Sequence, residues 1–166
     1  MRESHRMEFD ELKQNLVSAL GEAVWAFSLL EKQSYFYIKA FSEGPMLKIL
    51  AGQSYAARVK AILVLVEDAQ HIGSSHQTHI KALFETSLKL AKRRNLLVHS
   101  PWSIWIDPQS TELRDHVQDS KQLEDITIDT VRRFVQEAYQ LVERMALALA
   151  AVRNDLYPET EAKIYR

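Results

Sequence analysis

The stretch Asp129-Thr130-Val131-Arg132-Arg133-Phe134-Val135-Gln136-Glu137-Ala138-Tyr139-Gln140-Leu141-Val142-Glu143-Arg144-Met145 decides the fold class. Its apolar members, Val131, Phe134, Val135, Ala138, Leu141, Val142 and Met145, recur at steps of three and four, and Leu149 and Val152 extend the series. That period lines one face of an α-helix and does not fit the twofold alternation of a strand. The spacing predicts a helix from about Asp129 to Asn154.

Working outward, the same period runs through Phe9, Leu12, Leu16, Leu20, Ala23, Phe27, Leu30, Tyr37 and Phe41. It predicts a helix over about 10–41, ended by Ser42-Glu43-Gly44-Pro45. A second apolar set, Trp25, Leu29 and Phe36, lies off the main stripe. A helix apolar on more than one side packs on more than one neighbour. A central place in a bundle and a dimer face both account for it. Pro45 suits the first turn of the next helix, where no intrahelical bond is lost. Leu47, Leu50, Val59, Ile62, Leu63 and Val66 carry that helix over about 45–70, with Gly52-Gln53-Ser54 either interrupting it or absorbed within it. His71 to Gln77 reads as a polar loop. A third long helix follows over about 78–98, stopped by Pro101, which disfavours helical backbone just before it.

The connection to the last helix has a different period. Trp102, Ile104 and Ile106 alternate with Ser103, Trp105 and Asp107, which is strand patterning. Pro108-Gln109-Ser110-Thr111 reads as a turn, and Leu113 and Val117 suit a return strand. The expectation is a small β-hairpin over about 101–118, leaning on the bundle through its tryptophans, because an isolated hairpin is marginal.

Composition agrees with few turns. Only 4 glycines and 4 prolines occur in 166 residues, and a sheet-rich fold needs many more. The chain length suits one domain. The expected architecture is a single all-α domain over 1–166, a bundle of four to five helices with the hairpin between the last two long ones. The net charge of −1 gives no global attraction for nucleic acid, so any such contact rests on a local basic patch. With no cysteine, thiol nucleophiles, disulfides and thiolate metal sites are excluded. The longest apolar run, Met145 to Val152, is far short of the roughly twenty residues of a spanning helix. Met1-Arg2-Glu3-Ser4-His5-Arg6 lacks the apolar core of a signal peptide. These features lead to the expectation of a cytoplasmic protein with no membrane contact.

The chemistry concentrates in Lys89-Leu90-Ala91-Lys92-Arg93-Arg94-Asn95-Leu96-Leu97-Val98-His99-Ser100-Pro101-Trp102. On a helical wheel the apolar stripe through Ile80, Phe84, Ala91 and Val98 takes in Asn95, with Arg94 about 40° to one side and His99 about 100° from Ile80 on the other. Burying these polar groups unpaired would cost a few kcal/mol each, roughly. Either they satisfy one another inside the fold, or the face opens onto a shared pocket. A histidine can take or give a proton near neutral pH. A guanidinium holds phosphate oxygens with paired hydrogen bonds. The pair suits metal-free attack of a ribose 2′-hydroxyl on its own phosphodiester, which needs a proton acceptor, a proton donor and a cation over the developing charge. One histidine and one arginine per chain are too few, and two copies about a twofold axis supply both roles.

Arg94-Asn95-Leu96-Leu97-Val98-His99 resembles the signature of the HEPN superfamily (higher eukaryote and prokaryote nucleotide-binding): an arginine, four to six residues, then a histidine, with asparagine often beside the arginine. The phrase from Arg93 to Ser100 followed by Trp102 is similar to members in which a hairpin separates the last two helices, and the helix order agrees over nearly the whole chain. The resemblance implies a homodimer formed along the motif helices and, in active members, metal-independent RNA cleavage. Carried over, His99 is the acid or base, Arg94 the phosphate clamp and Asn95 a polar positioner. Lys92 and Arg93, with Lys89, would extend the RNA contacts beyond the cleft. Some members are toxins silenced by a nucleotidyltransferase antitoxin partner. These often have a tyrosine two residues after the histidine, where this chain has Pro101. Other members are non-catalytic interaction or nucleotide-binding modules, which is the alternative reading. No cofactor is expected, since the chain has no phosphate-cradling glycine loop and no nucleophile elbow. No metal site is expected either, because His71, His76 and His79, with Glu67 and Asp68, are irregularly spaced for zinc.

Overall fold

The computed structural model describes residues 3–42, 44–106, 113–117 and 126–156. Among them are five helices: α1 (Glu3–Phe41), α2 (Met46–Ala51), α3 (Tyr55–Asp68), α4 (Ser74–His99) and α5 (Ile128–Leu156). Two strands, β1 (Trp102–Ile106) and β2 (Leu113–Val117), pair antiparallel with Trp102 opposite Val117 and Ile106 opposite Leu113. The turn expected at Pro108–Thr111 lies outside the described residues. The described chain is thus mostly helical, and no helix in it is long and apolar enough to cross a membrane.

Contacts fix how the helices run. Phe27 and Tyr37 of α1 meet Arg94 and Phe84 of α4, with Arg94 5.4 Å and Phe84 4.9 Å away, so α1 and α4 are antiparallel. Arg93 of α4 reaches Phe134 and Glu137 of α5, while Tyr37 donates to the Met145 carbonyl at 2.8 Å. Hence α5 runs with α1 and against α4. The core between these three helices is apolar and closed, with Leu30, Tyr37, Ile38, Phe84, Val131, Phe134, Ala138 and Met145 all sealed from solvent.

α3 is shorter and begins partway up. Tyr55, in its first turn, stands edge-on to Phe27, and Arg58 reaches Glu31 and Ser34. So α3 runs with α1 and starts level with Phe27. The stretch of α1 before that point, about 35 Å, has no α3 beside it. Its first helix expectation is also extended: α1 begins at Glu3 rather than near Asp10, because nothing between them opposes helix.

The segment expected over 45–70 is two helices. Gly52 closes α2, and Ser54 caps α3 by accepting from the Ala57 amide at 3.3 Å. The break is pinned by Arg58, which is only 4% exposed. Its guanidinium donates to Ser34 Oγ (3.2 Å), to the Gln53 carbonyl (2.7 Å) and to Glu31 Oε1 (3.1 Å). It also lies 4.7 Å from the Tyr35 ring centre. A buried arginine is tolerable when its donors are met this way.

The polar loop expected up to Gln77 ends earlier, and α4 begins at Ser74. Gln77 is thereby helical and spends its amide on the end of α3. Its Nε2 donates to the carbonyls of Val66 (3.1 Å), Glu67 (3.3 Å) and Ala69 (3.3 Å). The last carbonyls of a helix lack intrahelical donors, so this side chain joins the Ala69 and Ile72 amides, which donate to the Val66 and Ala69 carbonyls, in closing α3. Gln77→Ala is expected to lower stability by about 1 kcal/mol, the net contribution of the lost amide hydrogen bonds. A urea titration at neutral pH measures it. Gln77→Glu should cost at least as much, since a carboxylate would face the same oxygens.

Candidate functional site

α4 ends where proline chemistry requires. Ser100 is extended (ψ 144°) ahead of Pro101, leaving His99 as the last helical residue. Trp102 then folds back, and its indole donates to the Leu97 carbonyl at 2.8 Å, meeting one of the orphan acceptors of the helix end. Trp102 and Ile104 pack against the core, so the end of α4 has a fixed floor.

The buried residues of α4 are Ile80, Leu83, Phe84, Ser87, Leu90 and Leu97. Their arc is rotated about 50° from the expected stripe, toward Arg94. This corrects the placement of Asn95 inside the apolar face: Asn95 is exposed. The physical reason is the short α3. Leu83 and Ser87 have neighbours on every inner side, whereas the last turns of α4 run past the start of α3 and find no helix there.

The motif residues therefore divide. Arg94 turns inward, its guanidinium over the Phe27 ring, one terminal nitrogen donating to Asn95 Oδ1 at 3.1 Å. Its Nε is buried and has no hydrogen-bond partner. Asn95 and His99, one turn apart, stand together on the open side. Arg94 and His99 leave the helix about 140° apart, so one chain does not bring them onto a single phosphate. Of the two residues expected to extend an RNA surface, Lys92 is exposed. Arg93 is engaged, ion-paired with Glu137 and stacked 5.8 Å from the Phe134 ring centre. It ties α4 to α5.

A second unpaired polar atom belongs to Tyr55, the other neighbour of Phe27. The Tyr55 hydroxyl is buried without a hydrogen-bond partner. Burial pushes its phenol up to about 12; the Ser87 hydroxyl and the Arg58 charge pull against that rise, and the Glu31 charge adds to it. Ser87 gives its own proton to the Phe84 carbonyl at 2.7 Å. Phe27 thus touches both residues that carry an unmet buried polar atom, the Arg94 guanidinium over its ring and the Tyr55 ring edge-on to it.

Among the described residues no three His, Asp or Glu side chains gather as metal ligands. The residues that sequence reading missed are Arg58 and Gln77. Arg58 was legible in principle, since it sits three after Tyr55 and four before Ile62 on an otherwise apolar stripe. Gln77 was not, because its partners belong to another helix. Comparison of the chain with protein-family models, with curated proteins and with solved structures finds no match.

Proposed function

We propose that the chain is a HEPN-like, metal-independent endoribonuclease or RNA-processing module, active as a homodimer whose two α4 ends share one RNA cleft. The supporting observation is that the fold leaves this polar set unspent. His99 and Asn95 face solvent at a helix end that Trp102 caps, and Arg94, on the inner side of the same end, keeps a buried Nε with no partner.

The chemistry follows from the groups. His99 of one copy accepts the proton of a ribose 2′-hydroxyl, and the 2′-oxygen attacks the adjacent phosphorus. The bond from phosphorus to the 5′-oxygen breaks, and that oxygen takes a proton from the second copy's histidine. The products are a 2′,3′-cyclic phosphate and a 5′-hydroxyl. Arg94 supplies positive charge where the phosphorane oxygens gain negative charge, and Asn95 orients the guanidinium. The divergence of Arg94 and His99 within one chain is the reason two copies are required.

The test is RNA cleavage in the presence of EDTA. Wild type is expected to cut, leaving cyclic-phosphate ends, and His99→Ala is expected to lose about 100-fold or more. Equal cleavage by the variant ends this reading. A folded wild type that binds RNA or nucleotide without cutting it establishes the non-catalytic alternative instead.

A further inference from the structure

The exposed apolar residues of α1 fall on one side of the helix. Met7 is 71% exposed, Trp25 62%, Val17 56% and Val24 42%. Counted from Gly21, all four lie within about 60° of it around the axis. Phe27 and Tyr37, which meet α3, α4 and α5, lie about 120° and 160° away. Up to Lys32 the face is thus turned away from Phe27 and Tyr37; one turn further on, Tyr35 and Phe36 share its arc and pack on Arg58 and the core. Gly21 stands at its middle, in mid-helix, where glycine weakens the helix relative to alanine. A Cβ there would meet nothing within 4 Å, so packing inside the protomer gives no reason for glycine.

We propose that this face is an interface between two copies of the chain, in which α1 lies antiparallel against α1 of its partner and the two helices cross at Gly21. The sequence is self-complementary about that residue. Asp10 and Lys32 stand eleven positions to either side, both exposed and on the same face. Antiparallel pairing sets each Asp10 against a Lys32, twice per dimer. Val17 and Trp25, four positions to either side, meet in the same register and cover each other. Gly21 meets its own copy, where the absence of a Cβ lets the backbones come close. A parallel arrangement would instead set Asp10 against Asp10. This interface goes beyond the RNA reading, does not depend on it, and leaves both α4 ends free to meet further copies, so the two contacts together give an assembly larger than a dimer.

The chain has no cysteine, so a single introduced thiol reports cleanly. Wild type is expected to self-associate in sedimentation at micromolar concentration. Gly21→Cys should form a disulfide-linked dimer on mild oxidation, while Gln136→Cys, exposed on α5, should not. Gly21→Ala should melt higher as a monomer yet associate more weakly, a combination that a purely structural role for Gly21 would not produce. Asp10→Lys should weaken association about tenfold, and Asp10→Lys with Lys32→Asp should restore it. A monomeric wild type, a Gly21→Cys that does not cross-link, or association unchanged in Trp25→Glu would overturn the proposal. RNA cleavage followed in the same Trp25→Glu variant separates this outcome from failure of the α4 site.

Discussion

Replacing Arg58 with alanine is expected to destabilise the protein by about 3 kcal/mol. The guanidinium serves three acceptors on two sides of a helix break: Ser34 and Glu31 on α1, and the Gln53 carbonyl between α2 and α3. Hydrogen bonds to a charged group contribute roughly 1.5–3 kcal/mol each, but they do not add when one donor group makes them all. The Glu31 partner is also 37% exposed. It can turn to water once released, so its share is discounted for screening. What remains is a buried Ser34 hydroxyl without its donor, a part-buried Gln53 carbonyl left unmet, and the space left beneath Tyr35 and Tyr55. Arg58→Lys should recover less than half of the loss, because an ammonium lacks the planar fork that reaches both helices. Urea denaturation of the two variants measures this. A loss below 1 kcal/mol in Arg58→Ala would show that the network is incidental. Hydrogen exchange should also locate the first opening in α2, which Arg58 tethers through Gln53.

The second large effect is alkaline. Burial raises the Tyr37 phenol well above the ordinary tyrosine range, and its proton is the one donated to the Met145 carbonyl. Burial likewise lifts Tyr55 to about 12. Both folded values lie above the unfolded one near 10. The stability these groups contribute is therefore fully present below pH 10 and is lost as pH rises toward 12 and beyond. Each contributes a slope of about 1.4 kcal/mol per pH unit once the unfolded chain ionises and the folded one does not. Two such groups remove about 5 kcal/mol between pH 10 and 12, comparable to the whole net stability of a small domain. Denaturant midpoints should hold from pH 8 to 9.5 and then fall steeply. Tyr55→Phe should halve the slope with little loss at pH 8, since its hydroxyl makes no bond. Tyr37→Phe should also halve it, at a cost of about 1 kcal/mol at pH 8 for the lost hydrogen bond. Midpoints unchanged at pH 11 would contradict the burial of both rings.

Helix existence was legible wherever one apolar face repeats for many turns, as in α5, because burial of that face is the main source of helix stability in a protein. Helix ends were less so. His71 to Gln77 looked like a loop from its polarity, yet Gln77 is helical because capping α3 from a distance stabilises it there. The placement of the motif side chains was only half legible. A wheel gives angles within a helix, not the length of its neighbours, and it was the late start of α3 that exposed Asn95 and turned Arg94 onto Phe27. The second apolar set of α1 was visible in Trp25, but the sequence alone could not show that α3 and α5 both leave that side uncovered.

The principal partner of α1 lies at the far end of the chain. Tyr37 and Met145 are 108 positions apart. During synthesis at about 5–20 residues per second, the first helix must wait several seconds for the last before its inner surface can be enclosed. Loops that long close late and slow the search for the native topology. Throughout that interval the nascent chain presents a long amphipathic rod to water or to a holdase, and a truncated translation product that lacks α5 should accumulate as aggregate rather than as a smaller folded species.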